Sequence, residues 1–244
     1  MVDTNTLLSL SGVHTNIGQY HILHGVDLEV PRGQLTMLLG RNGAGKTTTM
    51  RTIMKLWPVR NGRIVFAGED ITRLATPETA RRGIAYVPET MGIFGTLSVE
   101  ENMLLAARSG EPDANRLEWI YELFPALRKF WRWPAGQLSG GQKQMLAIAR
   151  AIIEPADLLL IDEPTKGLAP TIIDALATAI VALKETGVTI LMVEQNFALA
   201  ERVGDWVAVM DDGRIIHTGT MAALSADAAL QGRLLGFDVG GDAA

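Results

Sequence analysis

Gly40-Arg41-Asn42-Gly43-Ala44-Gly45-Lys46-Thr47 is the stretch from which the rest of the chain is read. It fits G-x-x-x-x-G-K-[ST], follows the apolar strand candidate LTMLL (35–39) and precedes TTTMRTIMKLW (47–57), whose composition suits a helix. Its glycines let the backbone turn several N–H groups inward as a nest at a helix N-terminus, where the helix dipole favours an anionic phosphate. Lys46 adds a point charge, and the Thr47 hydroxyl can ligate Mg2+. A chance match from average composition arises on the order of once per hundred chains of this length. A dinucleotide fingerprint, G-x-G-x-x-G, would need glycine at position 48, where Thr48 stands. The expected ligand is a nucleoside triphosphate.

Outward from the loop, short apolar runs alternate with helical stretches, the pattern of a largely parallel sheet flanked by helices. Leu35 to Leu39, Ile84 to Val87, Leu158 to Ile161 and Val188 to Val193 read as its strands. Leu7 to Leu10, Val26 to Val30 and Ile64 to Phe66, separated by Gly and Pro turns, suggest an antiparallel layer. Val207 to Met210, the turn Asp211-Asp212-Gly213 and Ile215 to His217 read as a hairpin. Between Val99 and Glu154 helix formers dominate, and a helical lobe inserted into the α/β core is expected there. The C-terminal GGDAA reads as a frayed tail.

The run Asp157-Leu158-Leu159-Leu160-Ile161-Asp162-Glu163-Pro164 is a buried-strand pattern ending in two carboxylates. In a parallel sheet they stand at the carboxyl edge, beside the phosphate loop. Asp162 is then placed to hold Mg2+, directly or through water, and Glu163 to orient or deprotonate an attacking water.

Composition narrows the class. The 244 residues allow one large domain, and with 48% apolar and 20% charged residues the chain should fold as a globule. A net charge of -5 leaves no broad basic surface, so nucleic acid is not an expected partner. No cysteine is present, which rules out disulfides and thiolate metal sites. The N-terminus has no basic region leading into a long apolar stretch, and a cytoplasmic location is expected. The apolar stretches 172–183 and 188–193 are interrupted by Lys184, Glu185 and Gly187, short of the roughly 18 apolar residues a membrane-spanning helix needs.

Leu138-Ser139-Gly140-Gly141-Gln142 suits a helix N-terminus, with Ser139 able to cap and the glycines allowing close approach. LSGGQ lying between the phosphate loop and the acidic strand is the order in which the chain resembles the ABC ATPase family, over nearly its whole length. The resemblance implies an α/β phosphate-loop NTPase fold with a mixed, largely parallel sheet, an antiparallel β subdomain and an inserted α-helical subdomain. Residues 1–90 and 155–222 would form the RecA-like core with its antiparallel layer, 91–154 the helical signature subdomain, and 223–244 a C-terminal helix and tail. It implies ATP and Mg2+ as ligands, and a head-to-tail dimer in which the signature of one subunit closes over ATP held by the other. Residues 40–48 would bind that ATP. Where the family usually stacks an aromatic on adenine, six residues before Leu23, the chain has Ile17, and Tyr20 is the candidate substitute.

Two departures mark a branch of the family. Tyr86-Val87-Pro88-Glu89 has glutamate where most members carry a glutamine in the loop that couples the core to the helical lobe. Val193-Glu194-Gln195-Asn196 has Gln195 in place of the switch histidine. With the GLAP run at Gly167 to Pro170, in which Ala169 replaces an expected aspartate, the chain resembles the ATPases of branched-chain amino acid importers. That resemblance implies catalytic roles for Lys46, Glu163 and Gln195, and places Glu89 near Mg2+ and the transmembrane partner. It implies a second ATPase subunit, in a heterodimer or homodimer, two permease subunits and an extracytoplasmic binding protein, with the chain at the cytoplasmic face of the membrane. Urea or short-amide importers and lipopolysaccharide exporters have similar cassettes, and a soluble non-transport ABC ATPase is the alternative of a different class. Trp119, Phe130, Trp131 and Trp133 read as core of the helical lobe or as a surface for the membrane subunit.

Overall fold

The structure, a computed structural model, describes residues 5–108 and 110–236, so the GGDAA tail lies outside the described residues. In chain order the strands are β1 (Thr6–Ile17), β2 (Tyr20–Pro31), β3 (Leu35–Leu39), β4 (Asn61–Phe66), β5 (Glu69–Asp70), β6 (Ile84–Val87), β7 (Leu158–Asp162), β8 (Thr189–Val193), β9 (Trp206–Asp211) and β10 (Arg214–Thr220). The first helices are α1 (Lys46–Ile53), α2 (Thr76–Arg81), α3 (Val99–Ala106), α4 (Ala114–Leu123) and α5 (Pro125–Lys129). The later ones are α6 (Gly140–Ile152), α7 (Pro170–Glu185), α8 (Phe197–Val203), α9 (Met221–Ala226) and α10 (Ala228–Leu235).

A six-stranded sheet, in the order β10-β9-β3-β8-β7-β6, forms the centre. Its inner strands pair in parallel, and β10 closes one edge antiparallel to β9. Every residue of β3, β7 and β8 is buried, which explains why these strands read as unbroken apolar runs: both faces are covered. Their alternate side chains serve two different cores. Met37, Leu159, Ile161, Ile190 and Met192 pack with α6, α7 and α8 on one face. Leu38, Leu158, Leu160, Leu191 and Val193 pack on the other with Met50 and Ile53 of α1 and with the antiparallel sheet β2-β1-β4-β5. Each fully buried Leu or Ile of this kind contributes about 1.5–3 kcal/mol.

The antiparallel strands β1 and β2 run longer than their apolar stretches suggest, through His14, Thr15 and Asn16 opposite His24, Leu23 and His21. Four register shifts interrupt that pairing, so the alternation breaks where the strand continues. The β9–β10 turn uses Asp212 at φ 40° and Gly213 at φ 70°, the positive-φ pair that a tight hairpin requires.

Helices α3 to α6 fall between the parallel strands β6 and β7. Helix α3 starts at a capping box: Ser98 Oγ accepts from Glu101 N at 3.1 Å, and Glu101 Oε2 accepts from Ser98 N at 2.7 Å. Ser98→Ala should lower stability by about 1 kcal/mol. Thermal denaturation would then show a midpoint about 2–4 °C lower, whereas an unchanged midpoint would mean that packing alone holds this helix start. Trp119, Phe130 and Trp131 are half-buried against the core, while Trp133 is half exposed. Among the described residues no helix is long and apolar enough to cross a membrane.

Candidate functional site

The strand order places four short segments along one carboxyl edge of the sheet. β3 leads into Gly40–Thr47, β8 into Glu194 and Gln195, β7 ends in Asp162 and leads into Glu163, and β6 leads into Pro88 and Glu89. The site is therefore a consequence of topology, since adjacent parallel strands all deliver their following residues to the same edge.

The loop turns through Gly40, Gly43 and Gly45 at φ 146°, 84° and 108°. Gly40 is also a close-approach position: a Cβ there would lie 2.1 Å from the carbonyl oxygen of Met210. Gly213 N in the β9–β10 turn donates to Ala44 O at 2.9 Å, tying the loop to the hairpin. Gly45 is the N-cap of α1 and brings no side chain to cap it, so the first amides of the helix are available to an anion. Lys46 is 4% exposed, and its Nζ donates to Gly40 O at 2.7 Å and Arg41 O at 3.0 Å. Burial holds this ammonium below the usual lysine range, with the charges of Glu163 and Asp162 acting the other way. Thr48 follows in the first turn of α1, half-buried.

Asp162 is fully buried at the end of β7. Thr47 Oγ1 donates to its Oδ1 at 3.0 Å and Tyr86 OH to its Oδ2 at 3.2 Å. Burial pushes its carboxyl up against those two hydrogen bonds, and nearby Glu163 and Glu89 add to the rise. Burial and then the Asp162 charge also push the Tyr86 phenol up.

Glu163 follows with φ 47°, a left-handed conformation uncommon for a residue other than glycine, and its N–H donates to Val193 O at 3.0 Å. That twist turns its carboxylate toward β8 and β6. Gln195 Nε2 donates to Glu163 Oε1 at 2.7 Å. Lys166 Nζ stands 3.7 Å from Glu163 Oε2 and donates to Glu89 Oε1 at 2.6 Å. Glu163 and Glu89 thus share one cation that the sequence analysis did not single out, and Gln195 holds the other oxygen of Glu163. A cleft of about 180 Å³ separates Gly40 and Arg41 from Gln195, so the phosphate loop and the glutamine face a common space.

Glu194, 2% exposed, was likewise not singled out. Its Oε1 accepts from Thr165 N at 3.0 Å and Thr165 Oγ1 at 2.8 Å, and its Oε2 from Gln195 N at 3.1 Å and Asn196 N at 3.3 Å. One buried carboxylate thereby joins the segment bearing Glu163 to the segment bearing Gln195. Burial holds it above the usual carboxylate range, with the four donors pulling the other way.

The remaining candidates lie elsewhere. Ser139 caps α6, accepting from Gln142 N at 3.3 Å, while Gln142 Oε1 accepts from Ser139 N at 2.9 Å. Leu138 is buried, and Gly140 would meet only Leu168 at ordinary van der Waals distance. Gly141 packs on α7 so closely that a Cβ would lie 2.4 Å from Ile172 Cγ2. Among the described residues no hydrogen bond or ion pair joins 138–142 to 40–47 of the same chain. Ile17 and Tyr20 face each other across the β1–β2 turn, with Tyr20 65% exposed, and among the described residues neither has a hydrogen bond or ring contact to the phosphate loop.

A glycine-rich loop at the carboxyl end of a central strand, beside a buried aspartate two strands away, defines a nucleotide-binding ATPase of the phosphate-loop class. The chain belongs to the ABC transporter family, whose model matches residues 23–166. It is 38% identical over 232 residues to the high-affinity branched-chain amino acid transport ATP-binding protein BraG of Pseudomonas aeruginosa, a match covering 94% of this chain and 100% of that protein. It is 37% identical over 216 residues to the probable branched-chain amino acid transport ATP-binding protein LivF of Archaeoglobus fulgidus, covering 86% and 92%. A solved ATP-binding subunit of an ABC transporter superposes with a TM-score of 0.79 at 33% identity, covering 95% and 97% of the two chains.

Proposed function

We propose that the chain is the ATP-hydrolysing subunit of an importer for branched-chain or related hydrophobic amino acids. The observation that carries this reading is the common carboxyl edge of β3, β8, β7 and β6, which puts a phosphate cradle, a glutamine, two carboxylates and Glu89 in one row. The substrate class rests on the likeness to BraG and LivF along almost their whole lengths.

In this reading the triphosphate accepts from the amides of Gly43 to Thr47, and Lys46 exchanges its loop carbonyls for phosphate oxygens. Hard oxygen donors on Thr47 and Asp162, 3.0 Å apart, suit Mg2+, with Glu89 nearby as a further carboxylate. Bound there, the ion would neutralise phosphate charge. Glu163 orients and deprotonates the attacking water, and Gln195, hydrogen-bonded to it, can also donate to the γ-phosphate. Ile17 and Tyr20 offer an apolar and an aromatic face to the adenine. Leu138 to Gln142 serve the nucleotide of a second ATPase subunit, where Ser139 and the amides starting α6 meet phosphate charge left uncompensated by Lys46.

A groove of about 660 Å³, bordered by Arg51, Tyr86, Pro88, Met91, Arg108 and Arg150, opens at Pro88, the residue before Glu89, between the core and α6. It supports seating of a permease subunit there, with residues 91–154 as a lobe that presents the signature. The assembly would comprise this chain, a partner ATPase, two permeases and an extracytoplasmic binding protein, with the chain at the cytoplasmic face of the membrane.

Gln195→His should retain or raise ATPase activity in the complex, because an imidazole can also donate to Glu163 and additionally carry charge. A loss of more than about tenfold, roughly 1.4 kcal/mol of barrier, would assign the glutamine a specific role. The functional reading itself is tested by purifying a tagged chain from solubilised membranes. Co-purification of membrane subunits and a second cassette is expected, whereas recovery with ribosomes or DNA alone would overturn the reading.

A further inference from the structure

Lys166 enters none of the steps above, yet its ammonium stands between carboxylates delivered by two different strands. It donates to Glu89 Oε1 at 2.6 Å and lies 3.7 Å from Glu163 Oε2. The other oxygen of Glu163 accepts from Gln195. The backbone leaves Glu163 little freedom, because its N–H is bonded to Val193 O and its own carbonyl accepts from Lys166 N at 3.3 Å. The two side-chain neighbours therefore decide where the carboxylate points. The lysine is 61% exposed, so its ion pairs contribute little to stability and a merely structural role is a poor account of it.

We propose that Lys166 is a positioning residue, a cation shared by Glu89 and Glu163 that sets the second oxygen of Glu163 and transmits movement of the 88–89 segment to it. The inference rests on the reading of Glu163 as the base. While Glu89 holds the ammonium, Glu163 Oε2 keeps only a long contact with it. Drawing Glu89 away frees the ammonium to close on Oε2 by about 1 Å, within the reach of a flexible four-carbon stem. Pro88 borders the groove assigned to the permease, so a partner seated there would press on Pro88 and, through the backbone, shift the neighbouring Glu89. The coupling runs through one side chain, which makes it separable from folding and from nucleotide binding.

The test is steady-state ATPase activity of the complex that co-purifies with this chain, comparing wild type with Lys166→Met, Lys166→Arg, Glu89→Gln and the Lys166→Met/Glu89→Gln double variant. Lys166→Met should lower kcat by about fivefold or more with KM for ATP within about twofold, and Lys166→Arg should stay close to wild type. With Mg2+ saturating, so that any weaker hold of Glu89→Gln on the ion does not enter, the double variant should lose no more than Lys166→Met alone, because both substitutions cut the same link. Wild-type kcat for Lys166→Met, or losses that multiply in the double variant, would overturn the proposal. Glu163→Gln, measured alongside, separates the two readings. If it turns over like wild type, the base assignment falls and the relay with it; if it is inactive while Lys166→Met is not impaired, only the relay falls.

Discussion

Glu163→Gln is expected to bind ATP, hold it in a dimer and hydrolyse it about a thousandfold more slowly than wild type, a rise of about 4 kcal/mol in the barrier. The amide has the shape of the carboxylate, so its oxygen still accepts from Gln195 Nε2, and the left-handed turn at φ 47° is undisturbed. Lys46, Thr47 and Asp162 are untouched, so the nucleotide keeps its cradle. The capacity to take a proton from water is removed, and the NH2 in place of Oε2 no longer attracts the Lys166 ammonium. Size exclusion with ATP should show a dimer, and the assembled complex should retain nucleotide after washing. If only monomer appears, and the complex traps no nucleotide either, the mechanism is wrong.

Glu194→Ala should be the most damaging substitution for stability near the site. It strands the N–H and hydroxyl of Thr165 and the N–H groups of Gln195 and Asn196. Each unsatisfied buried donor costs about 1–3 kcal/mol, and entry of water into the space recovers part of that, so a net loss of about 3 kcal/mol or more is expected. Thermal denaturation should show a midpoint lower by about 6 °C or more. ATPase activity should fall with it even below the transition, since Glu163 and Gln195 lose the link that holds their segments together. Glu194→Gln should fall between, because its oxygen can serve Thr165 while its NH2 opposes the amides of residues 195 and 196. A midpoint for Glu194→Ala within about 2 °C of wild type would mean that those segments are held by packing alone.

The fold class was legible because its defining strands carry no ambiguity of face. Leu35–Leu39, Leu158–Asp162 and Thr189–Val193 are buried throughout, so they stand out as apolar runs whatever their neighbours. The hairpin at Asp211-Asp212-Gly213 was legible for another reason, since few residues tolerate the φ values that turn needs. The far ends of β1 and β2 were not, because His14, Asn16 and His21 obscure the alternation and the pairing slips four times. The two-residue strand β5 and the short helices α2 and α5 are too brief to show periodicity. The phosphate loop, Asp162 and Glu163 were readable as motifs because their chemistry depends on neighbours in sequence. Glu194 and Lys166 were not: their importance arises from Thr165, 29 residues before Glu194, and from Glu89, 77 residues before Lys166. Their meeting is a property of strand order, to which no local pattern points. The same holds for the signature, which packs on α7 and, among the described residues, makes no hydrogen bond or ion pair to its own phosphate loop, leaving the trans arrangement to be argued from the family.

The central claim is that ATP hydrolysis at this edge of the sheet drives amino acid import. It is tested most directly by uptake of labelled leucine, with labelled urea in parallel, in cells deleted for this chain and complemented with wild type or Glu163→Gln. Leucine uptake should disappear on deletion, return with wild type and fail to return with Glu163→Gln, while urea uptake is unaffected throughout. Undiminished leucine uptake in the deletion strain, or its restoration by Glu163→Gln, would contradict the account.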